Sequence, residues 1–376
     1  MTPALLGIGV FGLLGLSVLW PLLAFPARRF QRVIRTRTRR PESTVFSRPS
    51  TIEIVLPAHN EAGLIEGTLA GIQRSIRHLQ AQSGGPPPPE IFVHVGTDGC
   101  TDQTAQIARR FPKVDVTEFG ENRGKWRMIK TLFERSTADW LILVDAGTLW
   151  PESFLTDVVQ RIGRGRDVIA VAPSYRPLKA GRIHRALWHV EAGLKKLEAL
   201  CGGPVSLHGA TVGYKTAVLK KALARLGDTP WLNDDVVIPL TLRALFPDGL
   251  ILYPVGEVWD AGLKTQELDL ARRDRLLKGN LQWVRLLLPD YFRRNPVAGL
   301  VALRRLFRVF WAYWFVFAAA GLALAFHSIV LPGIAAAAIL FTVSGSFRQL
   351  AGAAWVSLSA PWGMIHPRWR RTGSWT

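Results

Sequence analysis

Between residues 49 and about 297, short apolar runs alternate with longer amphipathic stretches. Four such runs predict strands: Ile52–Leu56, the first residues of EIFVHVGTDGCTDQT, the segment VDVTEF, and Trp140–Val144. The segments between them predict helices: GLIEGTLAGIQRSIRHLQ, a helix that begins near Asp102, and GKWRMIKTLFERS. Strands that alternate with helices in this way predict an α/β domain with a mostly parallel sheet and helices on both faces.

Three other segments are apolar without this alternation. Ala4–Phe25 carries no charge and is long enough, as a helix, for the roughly 30 Å hydrocarbon layer of a bilayer. A second uncharged region over 309–347 is broken at His327–Gly333 and predicts a helical hairpin in the membrane, or alternatively a buried helical pair of a soluble core. The shorter stretch Leu350–Ile365, interrupted by Pro361, predicts an interfacial or re-entrant segment.

The charge distribution sets the expected orientation. Arginines follow the first apolar segment, whereas a signal peptide would carry its positive charges before it. The expectation is an uncleaved, multi-pass protein of the inner (plasma) membrane with the α/β domain in the cytoplasm. The predicted order is a transmembrane anchor over 1–27, a basic juxtamembrane segment over 28–48, the cytoplasmic domain over 49–297, a transmembrane hairpin over 298–347 and an interfacial segment over 348–376.

The net charge of +19 points to an acidic partner, which can be nucleic acid, anionic lipid or a phosphorylated substrate. Eight of the arginines lie between residues 28 and 48, beside the first apolar segment, which favours lipid headgroups. No nucleic-acid recognition motif accompanies them, so nucleic acid is not expected as a partner. The two cysteines, Cys100 and Cys201, give neither a disulfide framework nor metal-knuckle spacing.

Acidic residues follow the predicted strands at four places: Glu61, Asp98, Asp145 and the pair Asp234–Asp235. Each alone is an ordinary turn or cap residue, and the pair also suits the start of a helix. In a doubly wound sheet they would collect on one edge. Because no G-x-G-x-x-G follows the first strand, a diphosphate would be held by an acidic strand end and a bound cation instead.

Longer motifs join these positions. VLPAHNEAGLIEGTL, VGTDGCTDQTAQIA and ENRGKWRMIKTLFERSTADWLILVDAG occur in that order, followed by VEAGLKKLEALCGGPVSLHGATVGYKTAVL, LNDDVVIPLTLRALFPDGLILYP and RRDRLLKGNLQW. Together they resemble the family 2 glycosyltransferases with the GT-A fold, in particular a membrane-bound subgroup that includes polysaccharide synthases. The resemblance covers about Thr51 to Trp283.

The resemblance implies a GT-A fold, the mixed α/β fold of nucleotide-diphospho-sugar transferases, here with transmembrane helices added. It implies an inverting glycosyltransferase of the hexosyltransferase type. The donor would be a nucleotide-diphosphate sugar, expected to be UDP-linked, and the acceptor a lipid or polysaccharide at the cytoplasmic membrane face. The alternative is a catalytically impaired membrane scaffold of the same fold, associated with partners in polysaccharide synthesis.

The resemblance also implies roles for individual residues. Asp235 would be the general base, and Asp145 would bind a divalent metal, Mg²⁺ or Mn²⁺, that bridges the donor phosphates. Lys125 would lie near the nucleotide, or alternatively would be a solvated helix lysine. The remaining predicted contacts are Pro57, Ala58, Glu61 and Asp98 with the uracil and ribose, and Arg275, Gln282 and Trp283 with the diphosphate and acceptor sugar. His208, in SLHGAT, is expected to be structural.

Two positions depart from the family pattern. Gly147 occupies the place of the second acid of D-x-D, and Gln282 stands where the synthase-type Q-x-x-R-W motif has arginine. The second departure makes a single, non-processive transfer as plausible as polymerisation. The first predicts that Gly147→Asp tightens metal binding, unless Gly147 needs a positive φ.

Overall fold

The computed structural model describes residues 2–15, 20–38, 48–82, 86–165, 167–178, 182–261, 266–325, 333 and 344–363. The described residues divide into two compact units. One lies within Arg28–Leu263, and the other is formed by the chain before residue 28 and after residue 263. The predicted domain boundaries stay predictions.

The unit within Arg28–Leu263 is built on a seven-stranded mixed sheet of order β3-β2-β1-β4-β8-β6-β9. β8 is antiparallel to both of its neighbours, β4 and β6, while the other paired strands run parallel. The strands of this sheet are β1 (Thr51–Ala58), β2 (Glu90–Asp98), β3 (Val114–Phe119), β4 (Trp140–Val144), β6 (Val168–Val171), β8 (Thr211–Lys215) and β9 (Leu250–Leu252).

A second, three-stranded sheet lies at the end of β4. Its central strand is β10 (Glu257–Asp260), which pairs antiparallel with β5 (Thr148–Leu149) and parallel with β7 (Ser174–Pro177). The chain passes from β4 into β5 through Asp145, Ala146 and Gly147, so these residues join the two sheets.

Helices of this unit pack apolar faces against the large sheet. Leu69 and Ile72 of α3 and Val158 of α6 belong to one buried core with the β1 and β4 side chains Ile54 and Ile142. This burial follows from the helical spacing of the apolar residues. The helices are α3 (Ala62–Gln80), α4 (Thr104–Arg109), α5 (Lys125–Arg135), α6 (Phe154–Arg164), α7 (Arg182–Leu200), α8 (Thr216–Leu226) and α9 (Asp234–Leu245).

The mixed α/β architecture predicted from the hydrophobic pattern is confirmed. β3 and β4 have the predicted bounds, and β1 extends one residue earlier and two residues later than Ile52–Leu56. The helix expected from near Asp102 begins at Thr104, although the Asp102 carboxylate does accept a hydrogen bond from the Thr104 N–H (3.0 Å).

The other unit is helical. α1 (Thr2–Leu14) packs closely against α13, where a Cβ on Gly9 would lie 2.3 Å from the backbone nitrogen of Ala318. Only a residue without a side chain allows this approach. The helices outside the α/β core are α1, α2 (Trp20–Thr38), α10 (Gln266–Leu286), α11 (Leu288–Arg294), α12 (Pro296–Val309), α13 (Trp311–Ala325) and α14 (Gly345–Gly363).

None of the helices in the described part of the chain combines the length and the apolar character needed to cross a membrane. The predicted multi-pass inner-membrane location and the transmembrane part of the fold prediction are therefore wrong. The apolar stretch over 4–25 does not form one described helix, because α1 ends at Leu14 and α2 begins at Trp20 and continues into the arginines. α1 has 13 residues and α13 has 15, so each is only about 20 Å long.

The end of the chain also differs from its prediction. Helix α14 continues through Pro361, which was expected to interrupt an interfacial segment. Most of the second half of the predicted hairpin and all residues after 363 lie outside the described residues.

Candidate active site

The carboxyl ends of three adjacent strands carry acidic residues. Asp98 is the last residue of β2, Asp145 directly follows β4, and Glu61 follows β1 after a short turn. Because β2, β1 and β4 are parallel neighbours, these three residues lie along one edge of the sheet, as the sequence predicted.

The turns after β1 and β2 are tied together by side chains about 40 residues apart. The Asn60 carboxamide oxygen accepts the Thr101 N–H at 2.8 Å, and the Asp102 carboxylate accepts the Ala62 N–H at 3.0 Å. The Thr104 hydroxyl oxygen accepts the Glu61 N–H at 2.8 Å. These bonds fix the position of Glu61 at the start of α3.

Asp98 is fully buried and is bound by backbone donors. Its two carboxylate oxygens accept the N–H groups of Arg123 (2.9 Å) and Gly124 (2.8 Å) at the start of α5. A carboxylate at a helix amino terminus also interacts favourably with the helix dipole. Asp98 therefore positions Lys125, the first residue of α5. The predicted contact of Asp98 with the nucleotide stays a prediction.

Lys125 lies between two carboxylates. Its ammonium nitrogen is 2.9 Å from Asp145 Oδ1 and 3.1 Å from Oδ2, and 3.6 Å from Asp234 Oδ2. The Lys125 side chain is 18% exposed, so the pair is screened less than a surface ion pair. This contradicts the alternative interpretation of Lys125 as a solvated helix lysine.

Asp234 and Asp235 do not follow a strand, contrary to the sequence prediction; they form the first turn of α9. Asp234 is nearly buried, whereas Asp235 is partly exposed. The Asp235 backbone oxygen accepts the Leu207 N–H at 2.8 Å, which connects α9 to the SLHGAT segment. Asp235 is thus the more accessible of the two carboxylates.

Gly209, in that segment, marks the point where these side chains meet. A Cβ on Gly209 would lie 3.3 Å from Asp145 Oδ2, 3.8 Å from Lys125 Nζ and 3.9 Å from Asp235 Cβ. The structure therefore brings together the predicted base, the predicted metal ligand and the predicted nucleotide lysine. The absent side chain leaves a small space between them.

Glu61 belongs to the same electrostatic environment. Burial raises the pKa of Glu61 to about 7, helped by the neighbouring carboxylates of Asp145, Asp102 and Asp260 and opposed by Lys125. Carboxyl groups with strongly raised pKa values are concentrated at functional sites.

Gly147 occupies a turn that requires its backbone conformation. The Thr148 N–H bonds to the Asp145 oxygen at 3.2 Å, and Gly147, the third residue of this turn, has φ = +88°. A positive φ at the third position is the mark of a type II turn, which favours glycine. The Gly147 N–H also donates to the Thr68 hydroxyl at 2.9 Å. Gly147 therefore does need a positive φ, which was the stated exception to the prediction that Gly147→Asp tightens metal binding. An aspartate at this position would be strained.

Asp145 is the one predicted ligand for a divalent metal at this edge of the sheet. Asp145 already binds a cation, the Lys125 ammonium group, and the space beside Gly209 adjoins its Oδ2. Among the described residues, no three His, Cys, Asp or Glu side chains form a group that could hold a metal. The residues thus fit a metal that takes most of its ligands from a diphosphate and water, as Mg²⁺ commonly does.

Two residues that were not predicted, Asp260 and Tyr175, lie near the site together with His208, which was expected to be structural. Asp260, the last residue of β10, pairs with Thr148, and its carboxylate accepts a hydrogen bond from the Tyr175 hydroxyl. The Tyr175 ring stacks on His208, with centroids 3.4 Å apart. Asp260 ends the strand EVWD after only two consecutive apolar residues, so the five-residue apolar run that identified Asp145 has no counterpart there. Tyr175 carries no comparable signal in the sequence.

The other predicted contacts lie in two places. Pro57 and Ala58 are buried at the end of β1, paired with Gly96 and Thr97 of β2. Arg275, Gln282 and Trp283 lie on α10, in the other unit, and their role stays a prediction.

Comparisons with known proteins agree with this arrangement. Residues 53–226 match the sequence model of the family described as Glycosyl transferase family 2. The glycosyltransferase AglD of Haloferax volcanii is 27% identical over 130 residues, which are 34% of this chain and 20% of AglD. The chain therefore matches only about a fifth of that relative's length.

A solved structure, that of PcManGT, shows the same fold. The mannosyltransferase PcManGT of Pyrobaculum calidifontis, solved with GDP-Man and Mn²⁺, is 22% identical, with a TM-score of 0.65 over 96% of this chain and 99% of PcManGT. Glucosyl-3-phosphoglycerate synthase of Mycobacterium tuberculosis is 19% identical, with a TM-score of 0.42 over 64% of this chain and 83% of that one. The predicted resemblance to the family 2 glycosyltransferases is confirmed by the match over residues 53–226, and the chain has the mixed α/β fold of the GT-A type.

Proposed function

We propose that this chain transfers a sugar, with inversion, from a nucleotide-diphosphate sugar to a hydroxyl group of a lipid-linked or glycan acceptor. The observation that carries the proposal is the grouping of Asp145, Lys125 and Asp235 around Gly209, at the carboxyl edge of a family 2 domain. A grouping of opposite charges at this edge suits a ligand that is itself anionic and brings a cation.

In this proposal, the diphosphate of the donor binds beside the Lys125 ammonium group and the Asp145 carboxylate. The Lys125 ammonium neutralises phosphate charge, and the Asp145 carboxylate would hold a divalent metal. That metal would supply stabilisation of the negative charge on the departing diphosphate. PcManGT was solved with both a nucleotide sugar and Mn²⁺, which supports the same combination of ligands here.

Asp235 acts as the general base. It accepts the proton of the acceptor hydroxyl while that oxygen forms a bond to the anomeric carbon from the face opposite the diphosphate. The bond between the anomeric carbon and the phosphate oxygen breaks, and the nucleoside diphosphate leaves with the bonding electrons. Asp234 suits this role less, because it is nearly buried and paired with Lys125.

The base of the donor nucleotide is proposed to be uracil, bound near Glu61, Pro57 and Ala58. Guanine is the specific alternative, because PcManGT was solved with GDP-Man. The acceptor site is proposed to include the partly exposed His208, whose ring is held in place by stacking on the buried Tyr175 ring.

The test is a panel of UDP- and GDP-linked sugars incubated with purified protein and Mn²⁺, with release of free nucleoside diphosphate as the readout. The proposal expects slow hydrolysis of one donor without added acceptor, which stops in Asp145→Ala. A protein that binds a donor but releases no diphosphate with any acceptor would instead be the catalytically impaired scaffold.

A further inference from the structure

The Lys125 ammonium group lies where a cation bound to Asp145 would lie. Its nitrogen is 2.9 Å from Asp145 Oδ1 and 3.1 Å from Oδ2, so both carboxylate oxygens already face a positive charge. The Lys125 side chain is 18% exposed and that of Asp145 is 33% exposed, so solvent screens the two charges only in part. A divalent ion on either oxygen would be repelled by this neighbouring ammonium group.

The place of Lys125 in its helix gives a second reason for the pairing. Lys125 is the first residue of α5, and the first turn of this helix carries no acidic residue. A positive charge at the amino terminus of a helix is unfavourable, because that end of the helix dipole is itself positive. The ammonium group therefore depends on anions from other parts of the fold, which include the carboxylates of Asp145 and Asp234.

Asp234 allows the ammonium group to leave Asp145 without losing every counter-charge. Asp234 Oδ2 is 3.6 Å from Lys125 Nζ, and its side chain is only 12% exposed. The lysine side chain is a flexible four-carbon stem with a charge that has no preferred partner geometry. A diphosphate that binds beside Lys125 would bring more negative charge than the single carboxylate that it replaces.

We propose that the Lys125–Asp145 ion pair keeps the divalent metal out of the site until the donor binds. The diphosphate of the donor draws the ammonium group away from Asp145, and the freed carboxylate then binds the metal. Metal and donor therefore bind cooperatively, and the chain without donor binds the metal weakly. This role of Lys125 rests on the proposed function, because it takes Asp145 as the metal ligand and a diphosphate as part of the donor.

Titration of the full chain with Mn²⁺ alone tests whether Lys125 excludes the metal. The electron paramagnetic resonance signal of unbound Mn²⁺ measures the affinity without any nucleotide or activity. Lys125→Met removes the charge and keeps an unbranched side chain, so it should bind Mn²⁺ about tenfold or more tightly than the unchanged protein. Adding Asp145→Ala to Lys125→Met should abolish this gain, which assigns the bound ion to Asp145.

Lys130→Met is the matched control. Lys130 lies on the same helix, 3.5 Å from Glu134 and 2.5 Å from Asp228, so its loss removes the same charge without uncovering Asp145. Its Mn²⁺ affinity should equal that of the unchanged protein. Equal affinities of Lys125→Met and the unchanged protein, the same gain in Lys130→Met, or a gain that survives Asp145→Ala would each overturn the proposal.

Thermal unfolding shows whether the variants fold and gives a second measure of metal binding. Mn²⁺ should raise the melting temperature of Lys125→Met more than that of the unchanged protein, because a ligand stabilises the folded state in proportion to its affinity for that state. Lys125→Gln keeps a polar group at this position and should behave in the same way. An equal rise in the unchanged protein and in both variants would contradict the exclusion of the metal by Lys125.

A crystal structure of the chain with Mn²⁺ and UDP or GDP tests the exchange of partners. The Lys125 ammonium group should contact an oxygen of the diphosphate, and an Asp145 oxygen should contact the metal. A complex in which Lys125 keeps both of its contacts with Asp145 beside a bound metal would overturn the exchange. A chain that binds neither nucleotide contradicts the proposed function, whereas the Mn²⁺ titration still decides whether Lys125 excludes the metal.

Discussion

Among single residues, Asp235 has the most specific assignment. It is partly exposed, and its Cβ lies beside the space at Gly209 that also adjoins the Lys125–Asp145 pair. Asp235 is more accessible than its neighbour Asp234 in α9, and the sequence LNDD alone does not show this difference.

Asp235→Asn should lower turnover by ~10²–10⁴ with little change in donor affinity, because asparagine keeps the shape but cannot accept the proton. The measurement is the steady-state rate with the donor found in the panel, together with donor affinity by calorimetry. Asp234→Asn is the matched control. Full turnover by Asp235→Asn would remove Asp235 from the mechanism.

Glu61 should make folding stability depend on pH. Its pKa is raised to about 7 in the folded protein, above the ordinary value of 4.5 that applies when unfolded. The folded state therefore holds this proton more tightly, and the stability gained from it is lost as pH rises from about 4.5 to about 7.

Glu61→Gln should thus gain ~1–2 kcal/mol of unfolding free energy relative to the unchanged protein over that pH interval, after allowance for solvent screening. Urea unfolding at pH 4.5, 6 and 7.5 measures the difference, with the exposed Glu66→Gln of the same helix as control. A difference that does not change with pH would show that Glu61 is not buried among carboxylates.

Helices and strands were predicted correctly where a pattern of neighbouring residues determines them. Strand β4 was found because five apolar residues stop at Asp145, and α3 was found because Leu69, Ile72 and Ile76 recur at helical spacing. The site residues that directly follow strands were found in the same way. Tyr175 was missed because its contact with Asp260 joins residues 85 positions apart, through a pairing of β7 and β10 that no local pattern indicates.

The turn between β4 and β5 explains the missing acid of D-x-D. A φ of +88° at Gly147 costs an L-residue roughly 1–2 kcal/mol, so the conformation itself selects glycine. The departure from the family motif is thus a property of this turn, in which Thr68 and Ala261 also bind the Gly147 backbone.

Gly147→Asp should therefore lower the unfolding free energy by ~1–2 kcal/mol. It should not tighten Mn²⁺ binding, because the strained turn does not hold the new carboxylate in place. Urea unfolding and metal titration measure the two effects. Gly120→Asp is the control, since Gly120 has open space around its Cβ position. Tighter metal binding without a loss of stability would contradict the assigned turn.

For the whole molecule, the order of the motifs predicted the fold better than charge and hydropathy predicted the location of the protein. The apolar segments predicted membrane spans, but a run of uncharged residues does not say where a helix ends. Among the described residues, α1 ends at Leu14 and α2 begins at Trp20, and no described helix is long and apolar enough to cross a membrane. The order of the strand-end motifs, in contrast, constrains the topology of the sheet, and the match of residues 53–226 to the family 2 model agrees with that order.

The central claim is that Asp145 and Lys125 form a donor site that uses a divalent cation. Calorimetric titration of the full chain with the donor, in Mn²⁺ and again in chelator, tests it most directly. We expect Mn²⁺ to tighten donor binding by about tenfold or more, equivalent to about 1.4 kcal/mol, and Asp145→Ala to lose this gain. Equal donor affinity with and without Mn²⁺ in the unchanged protein would contradict the claim and leave Asp145 as the ion-pair partner of Lys125 alone.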